Sequence, residues 1–446
     1  MKKELFKISN DCLGILHPDS DRCRMTDGIY TDSRQFDSKK LFAAIRGETV
    51  DGNSFAQNIS ERGGCALIDR EECFFKNCIL VPDVREALRR LASVYRTNEL
   101  KNVKTVGITG SVGKTTTKDM VALAVSSSLK VHKTKGNANS QIGLPITVLD
   151  TDEDDDVSVL ELGMSYKGEM DRIAKIAMPD ISVITNIGHS HIENLGSREA
   201  IRDEKVKICA YSEKGSYLIL NGDEPLLREI SAKDRKIIYV SLNDHSADCF
   251  ASDIKNSENG VSFTANAFSQ KIKIELSVIG KHFILNSLFA LAVCHILGID
   301  LQKAAEALSG YTSDGKRQYV YDIDGHKVIS DCYNASPESM EAAISVLSDI
   351  SSDRKIAVLG DMLELGENSP MYHREVGKYL RGKADVLITY GKLAKEYKTL
   401  SDIKETYSFD EGCLDELKEF LKSFVRSGDA VLYKASNGMK LFNAIV

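Results

Sequence analysis

The stretch Thr109–Thr117, TGSVGKTTT, decides the fold of this chain. It follows a β-branched run at Val103–Ile108 and opens a stretch with helical spacing, which predicts a tight turn from a parallel strand into a helix. Gly110 and Gly113 would let backbone N–H groups turn inward around phosphate, and the helix N-terminus would add partial positive charge. A strict phosphate-binding loop has glycine where this chain has Ile108. The pattern nevertheless predicts an ATP or GTP site.

Individual residues of this loop have expected roles. Lys114 would reach the β- and γ-phosphates, and the Thr115 hydroxyl would ligate Mg²⁺. A plain glycine-rich turn is the alternative, but Gly-Lys-Thr stands where nucleotide binding requires it. The other predicted nucleotide contacts in the loop are Thr109, Gly110, Ser111, Val112, Gly113 and Thr116.

Short apolar runs alternate with helical stretches along the chain, which is typical of parallel sheets covered by helices. The first hundred residues predict strands at Leu41–Ile45 and Cys65–Ile68 and a helix at Val84–Tyr95. The other predicted strands form two series: Val103–Ile108, Val157–Leu160, Ser182–Ile187 and Tyr217–Leu220, then Lys327–Ser330, Ile356–Leu359, Val386–Thr389 and Ala430–Tyr433.

The domain organisation follows from these series and from the length of 446 residues, which exceeds a usual single core. We expect an α/β domain at 1–100, a central parallel-sheet domain at 101–313 and a second parallel-sheet domain at 314–446. Alternating apolar and polar residues between Asp248 and Ile279, around Asn259-Gly260, predict a small antiparallel insert. The segment Gly310–Gly315 is the expected hinge.

Composition and charge exclude several classes of protein. Hydrophobic residues make up 42% and charged residues 28%, which excludes a disordered chain. A formal net charge of −7 argues against a nucleic-acid-coating protein. The apolar stretch Phe283–Ile299 contains Asn286 and His295, so we expect a buried helix rather than a membrane span. The polar start MKKELFK predicts no signal peptide, and hence a cytoplasmic chain without membrane insertion.

Two residue sets could be mistaken for metal sites, and for each of them another interpretation is favoured. The acidic run Asp150–Asp156 lies between a predicted helix and a strand, so a solvated turn is expected. The ten cysteines form no C-x-x-C pair, and we expect mostly buried thiols rather than zinc ligands or disulfides.

Four further positions follow predicted strands or lie in a helical stretch near them. Glu161 ends the strand Val157–Leu160, where a carboxylate beside a phosphate loop is placed to hold a metal ion, although a solvent-facing carboxylate is an equal alternative. His189 and His191 follow the next strand, where metal ligation or phosphate contact is expected. Lys205, taken alone, would be a surface lysine of a helix.

Six ordered motifs together resemble the Mur ligase family. They are TGSVGKTTT, KGNANSQIGLP (Lys135–Pro145), ELGMSYKGEM (Glu161–Met170), TNIGHSHIENLGS (Thr185–Ser197), SDCYNASPESM (Ser330–Met340) and VLGDMLELG (Val358–Gly366). An N-terminal stretch, TDSRQFDSKKLFAAIRGETVDGNSF (Thr31–Phe55), resembles the family's uridine-nucleotide domain. The resemblance therefore covers the whole chain in order.

This resemblance implies a fold and a reaction. The family has an N-terminal domain for a UDP-sugar, a central ATPase domain and a C-terminal Rossmann-like domain that closes over the site. The motifs most resemble the member that joins D-alanyl-D-alanine to UDP-N-acetylmuramoyl-tripeptide, with ATP and Mg²⁺, through an acyl phosphate. Such chemistry needs charge neutralisation and positioning more than a covalent nucleophile. We expect a monomer that binds no nucleic acid.

The resemblance also assigns residues. Glu161 and His191 become metal ligands with Thr115, and Lys205 falls where the family has a carbamylated lysine that helps hold Mg²⁺. Nucleotide contacts outside the loop are carried over to Asn286, Arg317 and Asp331. Substrate contacts are carried over to Ser33, Arg34 and Arg46 for the UDP-sugar, Asn137 and Asn139 for the peptide or the phosphates, and Asn334 for the motif that distinguishes this ligase from its sisters. For Asp361 and Glu364, a structural turn and a site role are equal alternatives.

Three other functions compete with this interpretation. A sister ligase adding L-lysine or meso-diaminopimelate would carry an Asn-Pro-Arg motif, and this sequence has none. A P-loop kinase or motor ATPase would leave the N-terminal uridine-like motif unexplained. A non-catalytic scaffold has no need of Lys114, Thr115, Glu161, His191 and Lys205 together.

Overall fold

The computed structural model describes residues 1–257, 260–313 and 318–446. Three large sheets follow one another along the chain and lie within the three ranges expected from the sequence. The mixed α/β fold class with parallel-sheet domains is thereby confirmed, whereas the domain boundaries themselves stay a prediction.

The N-terminal part builds a small α/β unit. Its five-stranded sheet has the order β2-β7-β6-β5-β4, with β2 antiparallel to β7 and the other pairs parallel, and β1 pairs with β3 separately. The predicted strand at Cys65–Ile68 is confirmed, and the one at Leu41–Ile45 ends earlier. The elements are β1 (Lys2–Glu4), α1 (Leu5–Asp11), β2 (Ile15–Leu16), β3 (Met25–Asp27), β4 (Ile29–Tyr30), β5 (Leu41–Ala43), α2 (Ala56–Glu61), β6 (Cys65–Ile68), β7 (Cys78–Leu80) and α3 (Val84–Asn98).

The central part builds a nine-stranded sheet of order β16-β15-β14-β13-β12-β11-β8-β10-β9. Its strands are β8 (Lys104–Thr109), β9 (Val131–Lys133), β10 (Val157–Glu161), β11 (Ile181–Ile184), β12 (Tyr217–Asn221), β13 (Lys236–Ser241), β14 (Cys249–Ser257), β15 (Gly260–Ala267) and β16 (Gln270–Leu276). Its helices are α4 (Lys114–Val125), α5 (Gly143–Asp150), α6 (Glu169–Ala177), α7 (Ile192–Leu195), α8 (Arg198–Val206), α9 (Pro225–Arg228), α10 (Lys281–Ile296) and α11 (Leu301–Ser309).

The antiparallel strands expected between Asp248 and Ile279 are present, and they are joined to the central sheet. β14 pairs in parallel with β13, and β15 and β16 continue from it as antiparallel neighbours, so they form one edge of the central sheet. The alternation of apolar and polar residues reports a sheet with one covered face, and it carries no information on which other strand β14 joins. Asn259 of the expected turn lies outside the described residues.

The C-terminal part builds a six-stranded sheet of order β17-β18-β22-β19-β20-β21, parallel except for the β17–β18 hairpin. Its strands are β17 (Tyr319–Ile323), β18 (His326–Asp331), β19 (Arg354–Gly360), β20 (Val386–Tyr390), β21 (Glu405–Phe409) and β22 (Asp429–Lys434). Its helices are α12 (Pro337–Asp349), α13 (Ser369–Tyr379), α14 (Tyr397–Ser401) and α15 (Leu414–Phe424). The expected hinge at Gly310–Gly315 lies only partly within the described residues.

Several smaller expectations can be compared directly with the structure. The apolar stretch after Phe283 forms α10, which is buried over most of its length. Residues 152–154 are exposed between α5 and β10, as a solvated turn requires. All ten cysteines are free, and seven of them are buried. Within the three described ranges, no helix is long and apolar enough to cross a membrane.

One buried ion pair fixes the start of β22. The buried carboxylate of Asp429 accepts hydrogen bonds from Arg354 Nε at 3.0 Å and Nη2 at 2.7 Å, and from the Arg426 N–H at 3.0 Å. Burial by itself would raise the pKa of Asp429, but the bonds from Arg354 and Arg426 outweigh it and lower the pKa. This stabilisation is therefore present above the unfolded-state pKa and is lost as the pH falls through the folded-state pKa.

Asp429→Asn should lower the free energy of unfolding at pH 7 by about 3–5 kcal/mol, because it leaves the Arg354 guanidinium without its charged partner. Chemical denaturation measures this loss. Asp322→Asn, which removes an exposed partner of Lys327, is the matched control and should cost less than about 1 kcal/mol. Equal losses in the two variants would contradict the buried-pair account.

Candidate active site

The phosphate loop lies where β8 ends, between its two parallel neighbours β10 and β11. Gly113 precedes α4 with φ of 85°, a left-handed conformation that favours glycine. A β-carbon at Gly110 would lie 1.9 Å from Thr185 Oγ1, so only glycine fits there. Ile108 is fully buried in β8. Ile108, which replaces the glycine of the strict motif, therefore packs in the core of the sheet, and the turn at Gly110 and Gly113 still forms.

Two lysines converge on this loop. Lys114 Nζ donates hydrogen bonds to the carbonyls of Gly110 at 2.8 Å and Ser111 at 3.2 Å. Lys205 Nζ, from α8, donates to the same Gly110 carbonyl at 2.9 Å. Lys205 is 1% exposed, so it is not the surface lysine that its helical setting alone suggested. The structure brings both lysines to the nucleotide loop.

The environment of Lys205 favours an uncharged amine. Burial, helped by the positive charge of Lys114, holds the pKa of Lys205 well below that of an ordinary lysine, against the opposing effect of Glu204. An uncharged amine is the form that reacts as a nucleophile, and desolvation is a known way to obtain it. The side chain is therefore suited to a reaction with CO₂.

Oxygen donors meet beside the loop at the end of β10. Glu161 is buried, and its Oε2 accepts a hydrogen bond from Thr115 Oγ1 at 2.8 Å. Its Oε1 accepts one from Asn139 Nδ2 at 2.7 Å. A hydroxyl and a carboxylate are ligands that Mg²⁺ prefers. In the described part of the chain no three His, Cys, Asp or Glu residues group as a metal site. The Thr115 hydroxyl and the Glu161 carboxylate fit a Mg²⁺ that nucleotide phosphates would also bind.

The histidine loop, residues 187–191, follows β11 and reaches the C-terminal domain. His191 Nδ1 lies 2.6 Å from Glu364 Oε2, and His189 Nδ1 lies 2.5 Å from Glu338 Oε1. The contact with His191 lowers the pKa of Glu364. Both glutamates come from the C-terminal domain, so the two domains meet at this loop.

A cavity of about 480 Å³ lies between the central and C-terminal domains. Most of the predicted site residues line it: Ser111, Val112, Gly113, Lys114, Thr116, Asn137, Asn139, Glu161, His191, Asn286, Asp331 and Asn334. Four predicted residues lie beside the cavity and not in its lining. Thr109 ends β8 and Gly110 follows it in the phosphate loop. Thr115 donates to Glu161, and Lys205 donates to the Gly110 carbonyl. The volume is ordinary for a ligand-binding cleft.

Two further polar residues that line the cavity are suited to bind a nucleoside. Asn286 is 4% exposed; its Oδ1 accepts a hydrogen bond from Thr117 Oγ1 at 3.0 Å, and its Nδ2 has no partner among the described residues. An unsatisfied buried donor is costly, so a ligand acceptor there would be stabilising. Asp331 ends β18 and pairs with Lys434 at 2.7 Å. Arg317 lies outside the described residues.

The predicted UDP-sugar residues lie apart from this cavity, in the N-terminal domain. Arg34 pairs with Asp32 at 2.7 Å, and its side chain is 87% exposed. Arg46 pairs with Asp69 at 2.9 Å, and Ser33 begins the short turn after Asp32. The structure does not bring these three residues to the phosphate loop, so their role stays a prediction.

Sequence reasoning missed several residues that shape the site. Asn186 Oδ1 accepts hydrogen bonds from the loop N–H groups of Ser111 at 3.0 Å and Val112 at 2.8 Å. Tyr166 lines the cavity and is 59% exposed. Asn186 stands inside the quoted TNIGHSH motif, directly after a buried strand, and this position was the available signal. Tyr166 likewise stands inside a quoted motif, ELGMSYKGEM, and that position was the available signal for it.

The class of protein follows from this arrangement and from comparison with known families. The family model of the Mur ligase middle domain matches residues 108–294. The family model of the Mur ligase, glutamate ligase domain matches residues 317–437. The chain belongs to the Mur ligase family. The resemblance read from the six motifs is thereby confirmed.

Its relatives agree in name. UDP-N-acetylmuramoyl-tripeptide–D-alanyl-D-alanine ligase of Bacillus subtilis (strain 168) is 39% identical over 429 residues, covering 93% of this chain and 91% of the relative. The protein of that name from Synechocystis sp. is 34% identical over 427 residues, covering 93% and 90%.

Two solved structures show the same architecture. A crystal structure of MurF from Acinetobacter baumannii has a TM-score of 0.90 and 26% identity, covering 100% of this chain and 98% of its own. The structure of MurF ligase from Thermotoga maritima in complex with ADP has a TM-score of 0.83 and 28% identity, covering 94% and 96%.

Proposed function

We propose that this chain is an ATP-dependent ligase that joins D-alanyl-D-alanine to UDP-N-acetylmuramoyl-tripeptide in peptidoglycan precursor synthesis. One observation carries the proposal: the phosphate loop and Glu161 of the central domain face Asn334 and Lys434 of the C-terminal domain across one cavity. The relatives of that name, which match along nine-tenths of the chain, give the substrates.

The proposed reaction has two steps. A terminal carboxylate oxygen of the tripeptide attacks the γ-phosphorus of ATP, ADP leaves, and an acyl phosphate forms. The dipeptide amine then attacks the acyl carbon; the amide bond forms, the amine proton is lost and inorganic phosphate leaves. Positioning and charge neutralisation are the main catalytic requirements of such steps.

The position of each residue in or beside the cavity suggests its role in binding phosphate, Mg²⁺ or the nucleoside. Lys114 lies at the phosphate loop, where its charge would stabilise the transferring phosphoryl group. Mg²⁺, when bound, would neutralise phosphate charge, and its ligands would be Thr115, Glu161, His191 and the carbamylated Lys205. Asn286 and Asp331 would bind the nucleoside of ATP, with Arg317.

The substrates would lie on either side of the nucleotide. Ser33, Arg34 and Arg46 would bind the UDP-sugar on the N-terminal domain. Asn137 and Asn139 would contact the peptide, since both line the cavity on its central-domain side. Asn334 would contact the incoming dipeptide from the C-terminal side.

We also propose that the chain acts in the cytoplasm as a monomer. UDP-activated precursors and ATP are available there. Light scattering coupled to gel filtration tests the oligomeric state, and a dimer mass would contradict this proposal.

ATP-dependent phosphate release is the first experiment. We expect release only when UDP-N-acetylmuramoyl-tripeptide and D-alanyl-D-alanine are both present, with a pentapeptide product by mass spectrometry. Activity instead with the dipeptide precursor and L-lysine or meso-diaminopimelate would assign the chain to the sister reaction. Release that is indifferent to both substrates would leave only an ATPase and overturn the proposal.

A further inference from the structure

Three residues of the histidine loop, Gly188, His189 and His191, contact the C-terminal domain. A β-carbon at Gly188 would lie 2.6 Å from the carboxylate carbon of Glu338, so this glycine admits the glutamate. The N–H of His189 donates to Glu338 Oε1 at 3.0 Å, and its ring packs on Tyr372 with centroids 4.6 Å apart. Ile192 packs against the hydrophobic core of the C-terminal domain.

The same loop is joined to the nucleotide loop on its other side. The N–H of Gly188 donates to Ser111 Oγ at 2.9 Å. Arg198 Nη2 donates to the Ile187 carbonyl at 2.6 Å and pairs with Glu224, which fixes the loop within the central domain. The histidine loop therefore connects the phosphate loop to the C-terminal domain through direct contacts.

Within this loop, His191 and its partner Glu364 share an uncommon backbone conformation. His191 has φ of 65° and Glu364 has φ of 64°, in the left-handed region that side chains other than glycine rarely adopt. Such residues persist where the surrounding structure holds them, and they cluster at ligand-binding sites. The two side chains meet with Nδ1 and Oε2 2.6 Å apart.

A carboxylate on one ring nitrogen of a histidine fixes the orientation of the other nitrogen. Metal-ligating histidines commonly have such an outer carboxylate, which sets the ring orientation and raises ligand basicity. Here Nδ1 of His191 lies 2.6 Å from Oε2 of Glu364, at ion-pair distance but without the alignment of a hydrogen bond, so the contact acts through charge. In this arrangement Nε2 would be the atom that binds a metal ion. Because Glu364 belongs to the C-terminal domain, this orientation depends on how the two domains sit together.

We propose that Glu364 is a positioning residue, which orients His191 as a metal ligand and so couples metal binding to docking of the C-terminal domain. This inference rests on the proposed function, in which His191 holds Mg²⁺. Of the two alternatives that the sequence left for Glu364, the proposal favours a site role.

The test measures metal affinity rather than turnover. Mn²⁺ replaces Mg²⁺ and is titrated by electron paramagnetic resonance into the full chain, saturated with an ATP analogue that has a methylene between the β- and γ-phosphates. We expect Glu364→Gln to weaken Mn²⁺ binding by about 10- to 100-fold, the range typical of an outer-sphere partner. Glu367→Gln, a change at an exposed residue of the same turn, is the matched control and should leave Mn²⁺ affinity unchanged.

A second variant separates this effect from a folding defect. Glu364→Gly removes the carboxylate, and glycine adopts the left-handed φ at this position without strain. Its thermal unfolding should therefore match or exceed that of the unchanged protein, while its Mn²⁺ affinity should fall as in Glu364→Gln. Unchanged Mn²⁺ affinity in both variants would overturn the proposal.

A double-mutant cycle with His191→Ala establishes whether Glu364 acts through His191. In the His191→Ala background, Glu364→Gln should change Mn²⁺ affinity by less than about twofold. The same loss in both backgrounds would mean that Glu364 acts elsewhere and would overturn the proposal. The phosphate-release assay is independent of this cycle, so failure of the proposed function and failure of the positioning role are distinguishable.

Discussion

Lys114→Ala is expected to lower kcat by about 100- to 1,000-fold, which corresponds to about 3–4 kcal/mol of lost transition-state stabilisation. The ammonium group lies at the phosphate loop, held by the carbonyls of Gly110 and Ser111, and it lines the cavity that the nucleotide would occupy. A preorganised charge at this point interacts most strongly with the phosphoryl group in transfer. The measurement is steady-state phosphate release with both substrates present.

The control for this variant is Lys167→Ala. Lys167 is exposed on the loop between β10 and α6, so its removal makes the same change in net charge near the site without altering the phosphate loop. We expect its kcat to stay close to that of the unchanged protein. Full turnover in Lys114→Ala would refute the nucleotide role of TGSVGKTTT.

Lys205→Ala should lose activity by about a hundredfold or more, because even outer partners of a metal ligand are worth 10- to 100-fold. Added formate, acetate or propionate should restore part of the activity, since a small carboxylate can enter the space left by the carbamylated side chain. Carbamate formation joins the uncharged amine to CO₂ and releases one proton. The lowered pKa of Lys205 keeps the reactive amine available at a lower pH than in an exposed lysine.

The carbamate itself can be observed with ¹³C-labelled CO₂ by NMR. We expect one carbamate signal in the unchanged protein and none in Lys205→Ala. Lys118→Arg is the matched control, because Lys118 is also buried, donates to the Thr134 carbonyl and lies 3.3 Å from Asp119. The signal should persist in that variant. Absence of both the signal and the rescue would count against carbamylation.

The sequence predicted the parts of the fold that depend on local pattern. The strand–turn–helix at Thr109–Thr117 was predictable because Gly110 and Gly113 occupy positions that only glycine fills. The strand at Val157–Leu160 was predictable because three of its four residues are apolar and two are β-branched valines, and in the structure it extends to Glu161. The pairing of β14 with β13, which joins the antiparallel strands to the central sheet, was not predictable, because alternation of apolar and polar residues does not indicate which strand is the neighbour.

The candidate site also contains residues that a local sequence pattern predicts and residues that it does not. The positions of Lys114 and Thr115 follow from their spacing within one glycine-rich turn, so the sequence alone predicted them. Lys205 acquires its burial only when α8 packs against the phosphate loop, so its helical pattern pointed to a surface residue. The pairing of His191 with Glu364 joins residues of two domains, and a single sequence gives no measure of such a distance.

The convergence of Lys114 and Lys205 on the Gly110 carbonyl bears on the order in which CO₂ and the nucleotide bind. Lys114 and Lys205 both donate to it, and the positive charge of Lys114 favours the uncharged form of Lys205. Nucleotide phosphates would offset that charge on arrival and shift Lys205 back toward its protonated, unreactive form. In the proposed enzyme, CO₂ would therefore react most readily with Lys205 before the nucleotide binds, and the order of binding would affect how much of the enzyme is active.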